Sequence, residues 1–216
     1  MFWSRLRAQP PLLRFMWATL LVAVVAALIE RRWVLVFEAV ATILMSMMPV
    51  FFARRFGIRL PLRFVAGIGL FLYATIFLGE AYDFYDRYWW WDVLMHGGAA
   101  MGFGLMGFLF IFMLFEGDRY AAPAWAMAMI AFCFSVTLGA LWEIFEYAMD
   151  VNFGMNMQKS GLVDTMWDLI VDVIGASFGA AAGFFYLKGR DLGGLTGVIA
   201  EFVEINRRFF RRFGRR

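Results

Sequence analysis

Ten of the seventeen acidic side chains in this 216-residue sequence fall in three stretches, and its only histidine lies beside one of them. Asp92 and His96 are four residues apart. Glu143, Glu146 and Asp150 recur at i, i+3 and i+7, and Asp164, Asp168 and Asp172 at i, i+4 and i+8. On helices, each set shares one face within roughly 60–80° of arc. Like charges at i, i+4 repel, so such crowding needs an offset: a bound cation, or protonation of some carboxyls. An oxygen-rich set with one imidazole suits Mg²⁺, Mn²⁺ or Ca²⁺ better than zinc or copper. The expected metal ligands are Glu143, Glu146, Asp150, Asp168 and Asp172. The expected catalytic groups are His96, Asp92 and Glu146, with the imidazole oriented by Asp92 and titrating near the working pH as general acid or base. Spacing alone does not choose between metal and proton. Solvation of helix ends accounts equally well for Asp83, Asp86 and Asp164, and Asp164 and Asp168 also suit a helix N-terminus. Asp172, about 10 Å inside its helix, and Glu143, about two turns from a helix end, do not fit that explanation.

The elements that carry these residues are apolar. Hydrophobic types make up 63% of the chain, against roughly 45–50% in soluble domains. They come in runs of about 20 residues, the length that crosses the hydrocarbon of a bilayer. The sequence therefore predicts an all-α membrane protein: a bundle of about six transmembrane helices near 12–29, 33–53, 64–81, 92–115, 123–149 and 165–187, plus a C-terminal amphipathic basic helix. Residues 1–190 are expected to form the polytopic domain and 191–216 a cytoplasmic tail. The first run is read as retained, because Glu30-Arg31-Arg32 follows it where a signal peptide has small residues.

Sixteen of the twenty basic residues fall on one side of this topology: Arg5, Arg7 and Arg14, then Arg54, Arg55, Arg59 and Arg63, then Arg119, then eight from Lys188 onward. Arg31, Arg32, Arg87 and Lys159 remain for the other side. The positive-inside rule puts both termini in the cytoplasm of a bacterial inner membrane and the acidic stripes on the outward side. Facing one another there, the stripes would form a wet, negative pocket, whereas facing lipid would cost a few kcal/mol per charge.

In the tail, Phe202, Ile205, Phe209 and Phe213 share a face, with Arg207, Arg208, Arg211 and Arg212 largely between them. A helix of this kind lies at the headgroups and binds anionic lipid. The expected partners are thus membrane lipids, anionic at the tail, and a membrane-protein partner or second copy; nothing calls for nucleic acid. Trp89, Trp90 and Trp91 are expected in an interfacial aromatic belt. Gly175, Gly179 and Gly183 form a small-residue face that would pack the acid-bearing fourth and sixth helices together. Cys133, a lone thiol in an apolar run, is expected as a small buried packing residue, and Glu38 stays unassigned.

The combination Tyr82-Asp83-Phe84-Tyr85-Asp86-Arg87, Trp90-Trp91-Asp92 and His96, with Trp142-Glu143-Ile144-Phe145-Glu146-Tyr147 and Asp150, resembles the YjdF-like family of bacterial inner-membrane proteins. The segment from Gln158 to Thr165, with Asp168, Asp172 and Gly175-Ala176, extends the resemblance over about residues 33–187. It implies a multi-pass membrane protein and no defined activity. Asp92, His96, Glu146, Gln158, Asp168 and Gly175-Ala176 are more distantly similar to VanZ-like membrane proteins, departing at Val93, where those carry Lys. That likeness implies envelope-lipid or glycopeptide-resistance chemistry. Three functions stay open: a metal-assisted enzyme on an envelope lipid or lipid-linked phosphate, a cation or proton transporter, and a non-catalytic scaffold.

Overall fold

The computed structural model describes residues 9–115, 118, 122–190 and 192–208, and the described secondary structure is helical throughout. The elements are α1 (Pro11–Ile29), α2 (Trp33–Arg55), α3 (Leu62–Glu80), the short α4 (Phe84–Arg87), α5 (Trp89–Leu114), α6 (Ala124–Phe153), α7 (Leu162–Leu187) and α8 (Gly194–Ile205). Five of them, α1, α3, α5, α6 and α7, are long and apolar enough to cross a membrane. α2 is the sixth apolar helix, its described apolar stretch running Trp33–Pro49. The chain is an all-α membrane protein.

Local chemistry sets the helix ends. Pro residues open three of them: Pro11 is the first residue of α1, and Pro61 and Pro123 stand directly before α3 and α6. The fixed φ of proline suits that position and its missing N–H has no partner to lose there. Gly154 ends α6 in the left-handed region (φ 65°), its N–H donating to the Asp150 carbonyl at 3.0 Å. The second half of α3, Tyr73–Glu80, is π-helical.

The described residues of 9–91 and 204–208 form one compact unit, and 92–203 form a second. The first unit packs by side chains. Leu20, Ala23 and Ala27 of α1, Leu35 and Ala39 of α2 and Phe77 of α3 make its buried core. Polar groups cross-link it as well: Trp17 Nε1 donates to Ser46 Oγ at 2.8 Å, and the Thr19 and Tyr73 hydroxyls meet at 3.1 Å. Glu38 is half-buried on α2, within electrostatic reach of Glu80 and Asp83.

The second unit packs by backbone. A Cβ on Gly175 would stand 2.4 Å from the Gly97 carbonyl oxygen, and one on Gly179 2.4 Å from that of Met101 and 3.0 Å from Gly104 Cα. Gly183 faces the Phe108 ring. The small-residue face of α7 therefore seats directly on α5, as its spacing predicts. Ser135 of α6, fully buried, donates to the Ala100 carbonyl at 2.7 Å and ties α6 to α5.

Four expectations are revised. α6 runs four residues beyond 149, which puts Glu143 about three turns from its end. Cys133 is exposed, on the same side of α6 as the exposed Met129 and Ile130, because Met127, Ala131 and Ser135 take the inward positions. The tryptophan run is split by helical periodicity: Trp89 is 85% exposed, while Trp91 is buried and packs edge-on against Phe84 at 4.9 Å. The C-terminal helix starts at Gly194, ahead of the basic residues of the tail, and Phe202, expected at the headgroups, is buried. Arg5, Arg7, Arg119, Phe209, Arg211, Arg212, Phe213, Arg215 and Arg216, like the Arg54 side chain, lie outside the described residues.

Candidate metal centre

Three helices of the second unit supply the site. α5 contributes Asp92 and His96 from its first two turns, α6 contributes Glu143 and Glu146, and α7 contributes Asp168 and Asp172. The glycine contacts between α5 and α7 matter here: where backbones touch, side chains that flank the contact meet without spanning a gap. His96, Glu143, Glu146, Asp168 and Asp172 are all buried, and Asp92 is half-buried.

His96 is the centre of the arrangement. Its Nδ1 lies 3.4 Å from Asp172 Oδ1, and its Nε2 lies 3.8 Å from Asp92 Oδ1 and 3.9 Å from Glu143 Oε1. One donor atom each from Asp92, His96 and Asp168 fall within 4.8 Å of one another. Ligands on opposite sides of one ion stand about 4.2 Å apart for Mg²⁺ and up to about 5 Å for Ca²⁺, given the metal–oxygen distances of those ions. The three donors are therefore spaced to share a single cation.

Two further observations point into the cluster. Asp172 Oδ2 is sealed from solvent without a hydrogen bond, and the Glu143 carboxylate is sealed with the Thr165 hydroxyl and the His96 ring beside it; Asp172 and Glu143 are 2% and 4% exposed. A buried carboxylate oxygen left without a donor is costly, and either a bound cation or protonation of the carboxyl offsets that cost. The Asp172 carboxylate also occupies a seat cut for it: a Cβ on Gly139 of α6 would stand 2.1 Å from its Oδ2.

The structure thus brings together Asp92, His96, Glu143, Asp168 and Asp172. Glu146 is buried at the same level, its Oε1 accepting from Trp142 Nε1 at 2.9 Å, which fixes the carboxylate one turn beyond Glu143. Asp150 is placed differently. Its two oxygens accept the backbone N–H groups of Met157 and Gln158 at 2.7 and 2.9 Å, so it shapes the loop after α6. Asp164 does the same for the Lys159 N–H at 3.0 Å. Asp83 pairs with Arg87 at 3.7 Å on the surface of the first unit. Gly139 and Ser135 escaped the sequence reading, although Ser135, Gly139, Glu143 and Glu146 follow at four, four and three residues on one face of α6. That polar-and-small stripe on an otherwise bulky helix was the available signal.

Comparison with known proteins adds identity without activity. A Thermotoga maritima protein described as "Uncharacterized protein" is 31% identical over 110 residues, covering 49% of this chain and 56% of the relative. The chain thus spans little more than half the length of that relative. No solved structure matches. A family model described as "Predicted membrane protein (DUF2238)" matches residues 12–189, a stretch that includes every residue of the cluster. The chain belongs to this DUF2238 family of membrane proteins.

Proposed function

We propose that the protein holds one divalent cation in this intramembrane carboxylate–histidine cluster and uses it to act on an envelope lipid or lipid-linked phosphate. The observation that carries the reading is the convergence of Asp92, His96 and Asp168 donors within 4.8 Å, on three buried or half-buried side chains. A mixed nitrogen–oxygen set places Mn²⁺ ahead of Mg²⁺ and Ca²⁺, since imidazole favours the later metals and carboxylate the harder ones. Asp92, His96 and Asp168 would hold the ion, with Asp172 fixing the imidazole from its Nδ1 side. Glu143 and Glu146 then stand ready as the proton acceptor for a water or substrate hydroxyl. A cation here would neutralise a phosphate oxygen and polarise its phosphorus.

The finer family resemblance, to YjdF-like inner-membrane proteins, is supported by the family match over the same residues. Three positions of the VanZ-like pattern, Asp92, His96 and Asp168, are the three converging donors, which supports an envelope-directed chemistry. The proposed setting is a bacterial inner membrane with both termini cytoplasmic, the cluster opening outward, and 191–216 acting as a basic tail on anionic lipid.

The test is elemental mass spectrometry of detergent-purified wild type beside Asp168→Asn, with Mn²⁺, Mg²⁺ and Ca²⁺ present during purification. We expect close to one metal ion per chain in wild type and its loss in the variant. Wild-type protein free of metal would sink the reading. It would shift weight to a second one, proton or cation translocation, which the buried carboxylates of Glu143 and Asp172 favour. Flux into proteoliposomes under an imposed pH gradient would then separate transport from a scaffold.

A further inference from the structure

Between α2 and α3 the chain turns at Gly57 (φ 70°) and runs through Arg59 to the fully buried Pro61. Asn206, just past α8 and only 4% exposed, closes on this turn with both ends of its amide. The Arg59 N–H donates to its Oδ1 at 2.8 Å, and its Nδ2 donates to the Arg59 carbonyl at 2.7 Å. The backbone of Arg59 is thereby fixed, and so is the position of residues 204–208 beside it. A cavity of about 380 Å³ lies against this clamp, lined by Gly57, Arg59, Glu204, Asn206, Arg207 and Arg208 among others. At about 30 Å³ per water, it holds roughly a dozen heavy atoms, more than a bare small anion needs.

The charges at its wall are unequal. Arg207 meets Glu204 at 3.5 Å, with both side chains about two-thirds exposed. Neither Arg59 nor Arg208 has a carboxylate within ion-pair distance among the described residues. An exposed pair such as Glu204–Arg207 is weak, and a phosphate accepting from several guanidiniums outcompetes it. The turn joins two apolar helices, and helices read as crossing a bilayer would put this turn at its surface, where phosphate arrives on lipid.

We propose that this cavity binds the phosphate of one anionic phospholipid, held by Arg59, Arg207 and Arg208 on the frame that Asn206 fixes. The site is separate from the metal centre. It also differs from diffuse attraction between the basic tail and the bilayer, because it predicts one lipid per chain at a defined place.

Native mass spectrometry of the full chain, released from detergent with dioleoylphosphatidylglycerol, tests it. We expect one retained lipid, not matched by phosphatidylcholine. The double variant Arg59→Gln/Arg207→Gln should weaken it about tenfold, whereas Arg211→Gln/Arg212→Gln/Arg215→Gln/Arg216→Gln should leave it within about twofold. Glu204→Gln, which removes the competing carboxylate, should tighten binding about threefold, a gain that a misfolded chain cannot imitate. Equal retention of phosphatidylcholine, loss only in the tail variant, or no response to Glu204→Gln would overturn the site. Saturation by millimolar inorganic phosphate with no lipid retained would assign the cavity to a soluble phosphate and overturn the lipid source.

Discussion

The two units of this membrane protein pack their helices in opposite ways. In the first, Leu20, Leu35 and Phe77 fill the space between α1, α2 and α3. In the second, Gly175 and Gly179 abolish that space, bringing α7 onto the backbone of α5. Lipid tails are as apolar as leucine, so neither arrangement gains from excluding water, and both rest on contact and hydrogen bonding. The consequence differs. Side-chain packing keeps backbones apart, so polar groups meet across it where a long side chain reaches over, as Trp17 does to Ser46 and Tyr73 to Thr19. Backbone packing lets short carboxylates on facing helices come within a few ångströms of a common point. The acidic cluster follows from the glycines as much as from the acids.

The largest break in this comparison is Gly179→Leu. Its side chain would have to displace the Met101 carbonyl and the Gly104 and Leu105 backbone, which cannot move locally. We expect loss of monodisperse protein on size exclusion; a variant that melts like wild type would show that α5 and α7 do not depend on this contact. Leu20→Ala, in the first unit, should be milder. The deletion leaves a cavity, but in lipid the transfer share of the cost largely vanishes, so we expect about 2 kcal/mol, the low end of the usual range. Its metal content should stay at the wild-type level, and a coupled loss of metal would show that the first unit supports the site.

Gly139→Ala is the finest probe. The added methyl needs the space of Asp172 Oδ2, so the carboxylate must swing away from His96. We expect metal affinity to fall about tenfold to a hundredfold, the usual effect of disturbing a ligand's hydrogen-bonding support, with a melting temperature close to wild type. Unchanged affinity would mean that Asp172 does not position the imidazole.

Much of this was legible in the sequence because a membrane enforces simple rules. The apolar runs placed six helices to within a few residues, since the length of hydrocarbon leaves little freedom. The small-residue face of α7 gave the α5–α7 contact for the same reason. The acidic stripes gave the faces of α6 and α7, but not which members reach a common point. Asp150 reads like Glu143 by spacing, yet it lies beside a loop whose N–H groups claim it. Periodicity is silent on that competition, because the loop backbone has no sequence signature. Cys133 was misjudged on a rule for water-soluble cores: in a membrane, an exposed apolar thiol is at home.

The π-helical half of α3 has a consequence for how such a chain tolerates change in length. Across Tyr73–Glu80 the helix carries wider turns, seen where Ala81 donates to the Ile76 carbonyl five residues back. One residue deleted there is absorbed by tightening to ordinary α-helix, and everything beyond keeps its register. One residue deleted between Asp168 and Asp172 turns the rest of α7 by about 100° and carries Asp172 away from His96. The first unit has slack built into a helix; the described helices of the second have none, and their reading frame in space is as strict as the one in the gene.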